Sequence, residues 1–315
     1  MKILITADWH IRGERPICRT DDDWIESQRK TITGIRSVFN KERCDMIWIL
    51  GDIFDAPRCS TAAVNMLIDE LKGFGRDMYG NYVVRILCGN HDLKDHNFDN
   101  IEECSVGILG KFFKTIPDGI SVNGKGYTIS ANPFGRDDIS SNAEVVCTHQ
   151  LTFPDEESRP LEDCGVLAQD LLDQWPSADI VFTGDYHHAF IHASVEGMRN
   201  RYVVNPGCIN IQKADELDYA PRVYVWDVDR SLNVNDREQF KTYFLDPQSK
   251  YCTRDHIEAR EQKEEMLAEV VETIKGGTEI TLDFDSNLSA AIGKCEKGVV
   301  DEYDIVKQEI GMEAK

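Results

Sequence analysis

Along the chain, short apolar runs alternate with longer stretches in which apolar positions recur every three to four residues. The runs Lys2–Thr6, Asp45–Leu50, Tyr82–Leu87, Glu144–Thr148 and Asp179–Thr183 are bounded by turn residues, as expected of buried strands. Between the early runs, residues 22–41 carry Trp24, Ile32, Ile35 and Phe39 at helical spacing, and residues 61–73 carry Val64, Leu67, Ile68 and Leu71. Strand and helix patterns in alternation predict βαβ units and a layered α/β sheet. Further on, 202–204, 222–228 and 239–245 read as strands with little helix between them, so the sheet should begin parallel and end antiparallel. The character changes near residue 246. A charged helix is expected over 255–275, stopped by Gly276-Gly277, then a short strand over 279–284 and a polar amphipathic stretch from about Leu288. We therefore divide the chain into a core, 1–246, and a C-terminal helical appendage, 247–315.

Composition narrows the picture. No apolar run approaches a membrane span and the N-terminus turns acidic too early for a signal peptide, so the expectation is a soluble cytoplasmic protein with no membrane partner. Ten cysteines are scattered without a CxxC pair, which fits a reducing compartment rather than a disulfide framework. A net charge of −21 argues against a protein that coats nucleic acid electrostatically, yet leaves room for a nucleic-acid enzyme with local positive charge and bound metal ions.

Nearly every predicted strand ends in a metal-ligating residue type: Asp8-Trp9-His10, Gly51-Asp52-Ile53-Phe54-Asp55, Gly89-Asn90-His91-Asp92, Thr148-His149 and Gly184-Asp185-Tyr186-His187-His188. In open α/β sheets, ligands gather at these carboxyl ends. Residues two apart in extended chain point the same way, so Asp8 and His10 can share one ion, and Asp185 and His187 repeat that geometry. Asp8, His10, Asp52, Asn90, His149, Asp185 and His187 are more ligands than one ion needs and suit two, with one carboxylate bridging. Oxygen and imidazole donors without thiolate favour Mn²⁺, with Mg²⁺ as the alternative, over a structural zinc site. His91 is then placed to assist the phosphate or the leaving oxygen, with Asp92 orienting it.

In this order, the five motifs resemble the signature of the calcineurin-like metallophosphoesterases, over residues 1 to about 210. The resemblance implies a four-layer α/β sandwich of two mixed β-sheets flanked by helices. It further implies one ion on Asp8, His10, Asp52 and His187, a second on Asp52, Asn90, His149 and residue 185, and His91 as the catalytic histidine. The family usually reads Gly-His-x-His in the last motif, where this chain has Asp185; His188 rotating in is the weaker alternative. Protein phosphatase motifs differ at Ala56-Pro57 and at Asp92. Residues 7–13 with 51–55 look most like the SbcD-type DNA nuclease subunits, including compact phage-encoded ones, whose compartment would be the host cytoplasm. This similarity implies Mn²⁺-dependent exonuclease or endonuclease action on DNA in repair or recombination, an SbcC-type coiled-coil ATPase as partner, and a homodimer. The alternatives are a small-molecule or cyclic-nucleotide phosphodiesterase, or a non-catalytic scaffold with an impaired second metal site.

Arg12, Arg15 and Arg19 follow the first motif and either grip substrate phosphate or pair with Asp21, Asp22 and Asp23. Arg12 and Arg15 are the substrate-binding candidates, and Arg199 with Arg201 form a weaker pair. Trp9 is expected to pack rather than stack on a base. Asn205-Pro206-Gly207-Cys208 should form a turn near the site, where relatives often have Pro-Gly-Ser; His96, His192 and His256 are expected bystanders. The appendage either covers a core face or docks the ATPase through Leu267, Val270, Val271 and Ile274.

Overall fold

The structure is a computed structural model, and it describes residues 1–122, 125–136, 142–161, 163–197, 199–230, 239–246 and 249–276. The chain divides into two units, Met1–Cys252 and Thr253–Lys315.

The first unit begins with β1 (Lys2–Thr6), α1 (Trp24–Glu42), β2 (Met46–Leu50), α2 (Thr61–Lys72), β3 (Val84–Leu87), α3 (Ser105–Leu109) and β4 (Lys114–Thr115). It continues with β5 (Gly119–Val122), β6 (Lys125–Asn132), β7 (Val145–Thr148), β8 (Thr152–Phe153), β9 (Val166–Leu167), α4 (Ala168–Gln174) and β10 (Ile180–Phe182). Strands β11 (Phe190–Glu196), β12 (Arg199–Asn205), β13 (Arg222–Asp227) and β14 (Phe240–Phe244) complete it. Two six-stranded sheets result, ordered β14-β13-β1-β2-β3-β4 and β11-β12-β10-β7-β6-β5. Both are mixed: β1, β2 and β3 run parallel while β13 is antiparallel to β1, and β7, β10 and β12 run parallel while β11 is antiparallel to β12.

Four layers follow from the strand period of two. Leu4, Ile47, Ile49, Val84, Val223 and Val225 face one way from the first sheet, onto Ile32, Ile35 and Phe39 of α1 and Val64, Leu67 and Leu71 of α2. The intervening residues Ile3, Ile5, Trp48, Leu50 and Trp226 pack against Val145, Cys147, Ile180, Phe182 and Val204 of the second sheet. Beyond it, Val146, Val181 and Val203 meet Ala168, Leu171 and Leu172 of α4. Burial on both faces explains why these strands read as continuous apolar runs. Local signals set the helix ends: Asp23 accepts from the Glu26 N–H, Ser60 from the Ala63 N–H, and Arg43 closes α1 in the left-handed conformation at φ +55°.

Of the second unit, the helix α5 (Asp255–Gly276) is described, with Leu267 and Val271 exposed. The strand expected at 279–284 and the stretch from Leu288 lie outside the described residues, as do the side chains of Val270 and Ile274. Among the described residues, no helix is long and apolar enough to cross a membrane.

Strand β12 contains the run expected at 202–204, but its hairpin partner β11 and the pair β5 and β6 were not foreseen: the burial of β11 alternates, and no continuous apolar run marks β5 or β6. Arg199 and Arg201 fall on β12. Arg199 pairs with Asp179 at 2.6 Å, and buried Arg201 bonds the Ala178 and Trp175 carbonyls and Glu196, so both hold the fold rather than grip phosphate.

Candidate metal centre

The ligating residue types sit where β1, β2, β3, β7 and β10 end, and the backbone there is bent sharply. Asp8 (φ +50°), His10 (φ +43°), Asp52 (φ +46°) and Asp185 (φ +81°) all occupy the left-handed region. Each costs on the order of 1 kcal/mol or more and persists only where its surroundings enforce it. Here the strand ends brace one another: Asp8 N–H donates to Gly51 O (3.2 Å), His10 N–H to Asp52 O (2.9 Å) and Ile11 N–H to Ile53 O (2.9 Å). Asp8 and His10 thus converge because both are left-handed, not because extended chain projects alternate residues to one side. That corrects the geometry inferred from spacing; the Asp8 and His10 side chains nonetheless converge.

Nothing larger than hydrogen fits at two turns. A Cβ on Gly51 (φ +92°) would lie 2.2 Å from His149 Nδ1, and one on Gly89 would lie 2.1 Å from Asp52 Oδ1.

The side chains close on a common point. Ligand atoms of Asp8, His10 and His187 lie within 4.8 Å of one another, as do those of Asp8, Asp52 and His149. His10 Nε2 is 3.0 Å from His187 Nε2 and 3.6 Å from Asp52 Oδ2. His149 Nε2 is 3.3 Å from Asp52 Oδ1 and 3.1 Å from Asn90 Oδ1. Asp52 stands between the two groups, where a bridging ligand belongs. Its Oδ2 is buried and, among the described residues, receives no hydrogen bond. A buried carboxylate oxygen without a donor is costly unless a cation compensates it, and these oxygen and imidazole donors suit divalent ions.

Two imidazoles are anchored from behind. His149 Nδ1–H donates to the Leu50 carbonyl at 2.7 Å, and His187 Nδ1–H to Glu216 Oε1 at 2.5 Å. Each bond fixes the tautomer and turns Nε2 inward. Glu216 is itself held by the N–H groups of Gln212 (3.0 Å) and Lys213 (3.2 Å). No sequence signal pointed to Glu216.

Electrostatics reflect the crowding of charge. Burial pushes the Asp8 carboxyl up to about 7. Burial would also raise Asp52, but His149, His10 and His91 outweigh it and hold its carboxyl well below the usual range. Burial pushes the His10 imidazole down to about 3, whereas in His149 it is overcome by Asp52 and the imidazole rises to about 10.

His91 stands at the edge of this cluster, its ring 4.9 Å from that of His10 and its N–H donating to Asp52 Oδ1 at 2.9 Å. Its Nδ1 meets the Asp55 carbonyl at 3.0 Å. Asp92, expected to orient His91, does something else. Fully buried, it accepts from the N–H groups of Gly89 (2.9 Å), Ile53 (3.2 Å) and Phe54 (2.8 Å), tying the β2 and β3 loops together. Asp55 orients His91 instead, because the β2 loop carries its carbonyl over the ring. Asp185 is at the rim: its N–H donates to both oxygens of Asp8 (3.0 and 3.2 Å), and its carboxylate enters none of the close ligand groups among the described residues. His188 packs its ring on Tyr186 and Tyr219.

The cluster opens into a cleft of about 390 Å³ lined by His10, Arg12, Asp55, His91, Asp185 and His187, among others. Arg12 pairs with Asp55 at 3.0 Å at its edge. Arg15 is not among the lining residues; its guanidinium donates to the Asp21 carbonyl at 2.6 Å, and buried Arg19 makes a two-pronged pair with the Asp21 carboxylate. Of the three, Arg12 lines the cleft. Trp9 is fully buried and donates to Thr6 Oγ1. Asn205 donates to the carbonyls of Tyr186 (2.6 Å) and His188 (3.0 Å), clamping the chain on either side of His187. His96 Nδ1 meets the Asn90 carbonyl at 3.1 Å on an exposed loop.

The family model described as calcineurin-like phosphoesterase matches residues 1–220. The SbcD component of the nuclease SbcCD from Staphylococcus epidermidis is 28% identical over 95 residues, which are 30% of this chain and 24% of that protein. This chain therefore matches about a quarter of that relative's length. Among solved structures, Yfce, a phosphoesterase from E. coli, is 15% identical, covering 78% of this chain and 100% of its own at a TM-score of 0.38. A dimetal phosphatase from Danio rerio is 11% identical, covering 78% of this chain and 96% of its own at a TM-score of 0.43. With the family match spanning every strand end that carries a candidate ligand, the chain belongs to the calcineurin-like phosphoesterases, a family of metal-dependent phosphoester hydrolases.

Proposed function

We propose that this chain hydrolyses phosphodiester bonds in DNA, as the nuclease subunit of a complex like SbcCD, with two divalent cations, Mn²⁺ foremost. The observation that supports the chemistry is the convergence of Asp8, His10, Asp52, His149 and His187 around a buried carboxylate oxygen that has no donor among the described residues. The substrate class rests on the partial similarity to a nuclease component, joined by Arg12 at the cleft edge.

Asp8, His10, Asp52 and His187 would hold one ion, and Asp52, Asn90 and His149, with Asp185 at the rim, the other. When bound, such ions neutralise charge on the attacked phosphate and lower the pKa of a nucleophilic water. The protein's own residues do the rest. His91, its Nδ1–H committed to the Asp55 carbonyl, turns Nε2 toward the cleft, where its protonated form stabilises the phosphate or delivers a proton to the leaving oxygen. Arg12 offers guanidinium N–H groups to a neighbouring phosphate while Asp55 holds it in place.

The test is Mn²⁺-dependent cleavage of end-labelled linear double-stranded DNA beside hydrolysis of bis(p-nitrophenyl) phosphate. Both activities should vanish in Asp52→Ala. His91→Ala should keep its metal content and lose turnover by roughly 10²–10⁴-fold. Small-ester turnover with DNA left intact, even with an SbcC-type ATPase present, would favour the small-phosphodiester reading. Absence of both activities in folded protein would favour the scaffold. In the same proposal, 1–246 is the nuclease core of a cytoplasmic homodimer and 247–315 docks the ATPase. Deleting 250–315 should abolish that association and spare small-ester turnover.

A further inference from the structure

We propose that His187, Cys208 and Glu216 form a separate site for a thiophilic divalent cation behind the metal centre, and that Zn²⁺ bound there withdraws His187 from that centre. The inference rests on the reading above only for the role of His187 Nε2; the ligand set stands on its own geometry.

One imidazole nitrogen of His187, the Cys208 sulfur and a Glu216 carboxylate oxygen lie within 4.8 Å of one another. Cys208 and Glu216 are buried, and their placement is rigid. The Cys208 N–H donates to the His187 carbonyl at 3.0 Å, and a Cβ on Gly207 (φ +68°) would come within 2.5 Å of that same oxygen. The turn is therefore pressed onto the backbone of His187, which Asn205 clamps from both sides. On the other flank, Glu216 keeps Oε2 on the Gln212 and Lys213 N–H groups and presents Oε1 to His187 Nδ1. Nitrogen, sulfur and oxygen donors suit Zn²⁺, whereas Mn²⁺ and Mg²⁺ prefer oxygen-rich sets. The thiol thus makes this site selective against the ions proposed for the centre in front of it. Access is from the cleft, which His187 and Glu216 both line.

Protons balance as follows. The cation takes the place of the proton between His187 Nδ1 and Glu216, and the Cys208 thiol loses its proton to solvent. The neutral imidazole then carries its single proton on Nε2, so one proton is released per cation bound. While the imidazole keeps that proton, Nε2 has no lone pair to ligate with, so occupancy of the rear site and ligation by Nε2 exclude each other; an imidazolate bridging both cations would leave Mn²⁺ in place and overturn the coupling.

The experiment uses the full chain loaded with Mn²⁺, Cd²⁺ as the spectroscopic probe and Zn²⁺ as the inhibitor. Wild type should show an ultraviolet thiolate-to-Cd²⁺ band that Cys208→Ser lacks; the other thiols contribute equally to both proteins. Zn²⁺ should inhibit bis(p-nitrophenyl) phosphate hydrolysis and release Mn²⁺ seen by electron paramagnetic resonance. Cys208→Ser should need at least roughly 10–100-fold more Zn²⁺ for either effect, since losing a ligand should cost no less than losing a partner that supports one, with basal Mn²⁺ turnover unchanged. Cys208→Ala serves where the hydroxyl destabilises the buried turn. A band of equal strength in wild type and both variants, or no band in wild type, overturns the ligand set. Equal Zn²⁺ sensitivity of Mn²⁺ release overturns the coupling through His187. Should the protein hydrolyse no phosphodiester, the band and Mn²⁺ release still decide the question.

Discussion

Removing Glu216 isolates what support from behind contributes to a metal ligand. In Glu216→Ala, His187 loses the acceptor 2.5 Å from Nδ1 that fixes which nitrogen carries the proton. Loss of such a partner costs 10–100-fold in metal affinity. At about 1.4 kcal/mol per decade, that is about 1.4–2.7 kcal/mol for the ion held by Asp8, His10 and His187. The same substitution strips the acceptor from the Gln212 and Lys213 N–H groups, at about 1–3 kcal/mol for each that stays buried and unsatisfied. Glu216→Gln separates the effects. Its amide oxygen still serves the two backbone donors, so stability should recover, while His187 faces a neutral partner and affinity should stay reduced. Calorimetric Mn²⁺ titration of the three proteins, with thermal melting alongside, should show one weakened class of sites in both variants and a lowered Tm in Glu216→Ala alone. Wild-type Mn²⁺ affinity in Glu216→Ala would refute the reasoning, because His187 would then need no anchor.

Three further outcomes follow from the geometry. Asp92→Ala should lower stability by about 1–3 kcal/mol for each of the three buried N–H groups it orphans, in urea unfolding, whereas an unchanged midpoint with lost turnover would return Asp92 to a direct catalytic role. Glu42 is held down to about 2 by its hydrogen bond to Lys2 and by Tyr243, so it stabilises the fold above the ordinary 4.5 and that contribution is lost as pH falls through about 2. The melting-temperature gap between wild type and Glu42→Gln should therefore close over that interval, and a gap independent of pH would contradict it. On the proposed DNA reading, Arg12→Ala should weaken DNA binding uniformly across sequences and reduce the salt slope by about 1; an unchanged slope would mean that Arg12 serves only Asp55.

Much of the site could be read before any coordinates. Asp8, His10, Asp52, Asn90, His149 and His187, which the fold brings together, stand in order at the ends of runs whose apolar continuity marks strands buried on both faces. That information is local: a strand announces itself by composition, a helix by period, and a turn by Gly or Asp. Distinguishing Asp55 from Asp92 as the partner of His91 was not local. Both flank ligand motifs, but only the approach of the β2 and β3 loops puts the Asp55 carbonyl on the ring and sends the Asp92 carboxylate to three backbone donors. Arg12 and Arg15 are equally indistinguishable in sequence, and which one reaches the cleft depends on the Asp21 carbonyl capturing the other.

The sequence by itself determined the elements, their alternation and the chemical types available at the strand ends, because these follow from periodicity and turn chemistry over a few residues. The tertiary structure alone decided the left-handed bends that aim Asp8, His10, Asp52 and Asp185, and the pairing of His187 with Glu216, 29 residues further along the chain. Such pairings depend on sheet register and loop packing across long stretches of chain, where each contact is made by surroundings that no local window contains.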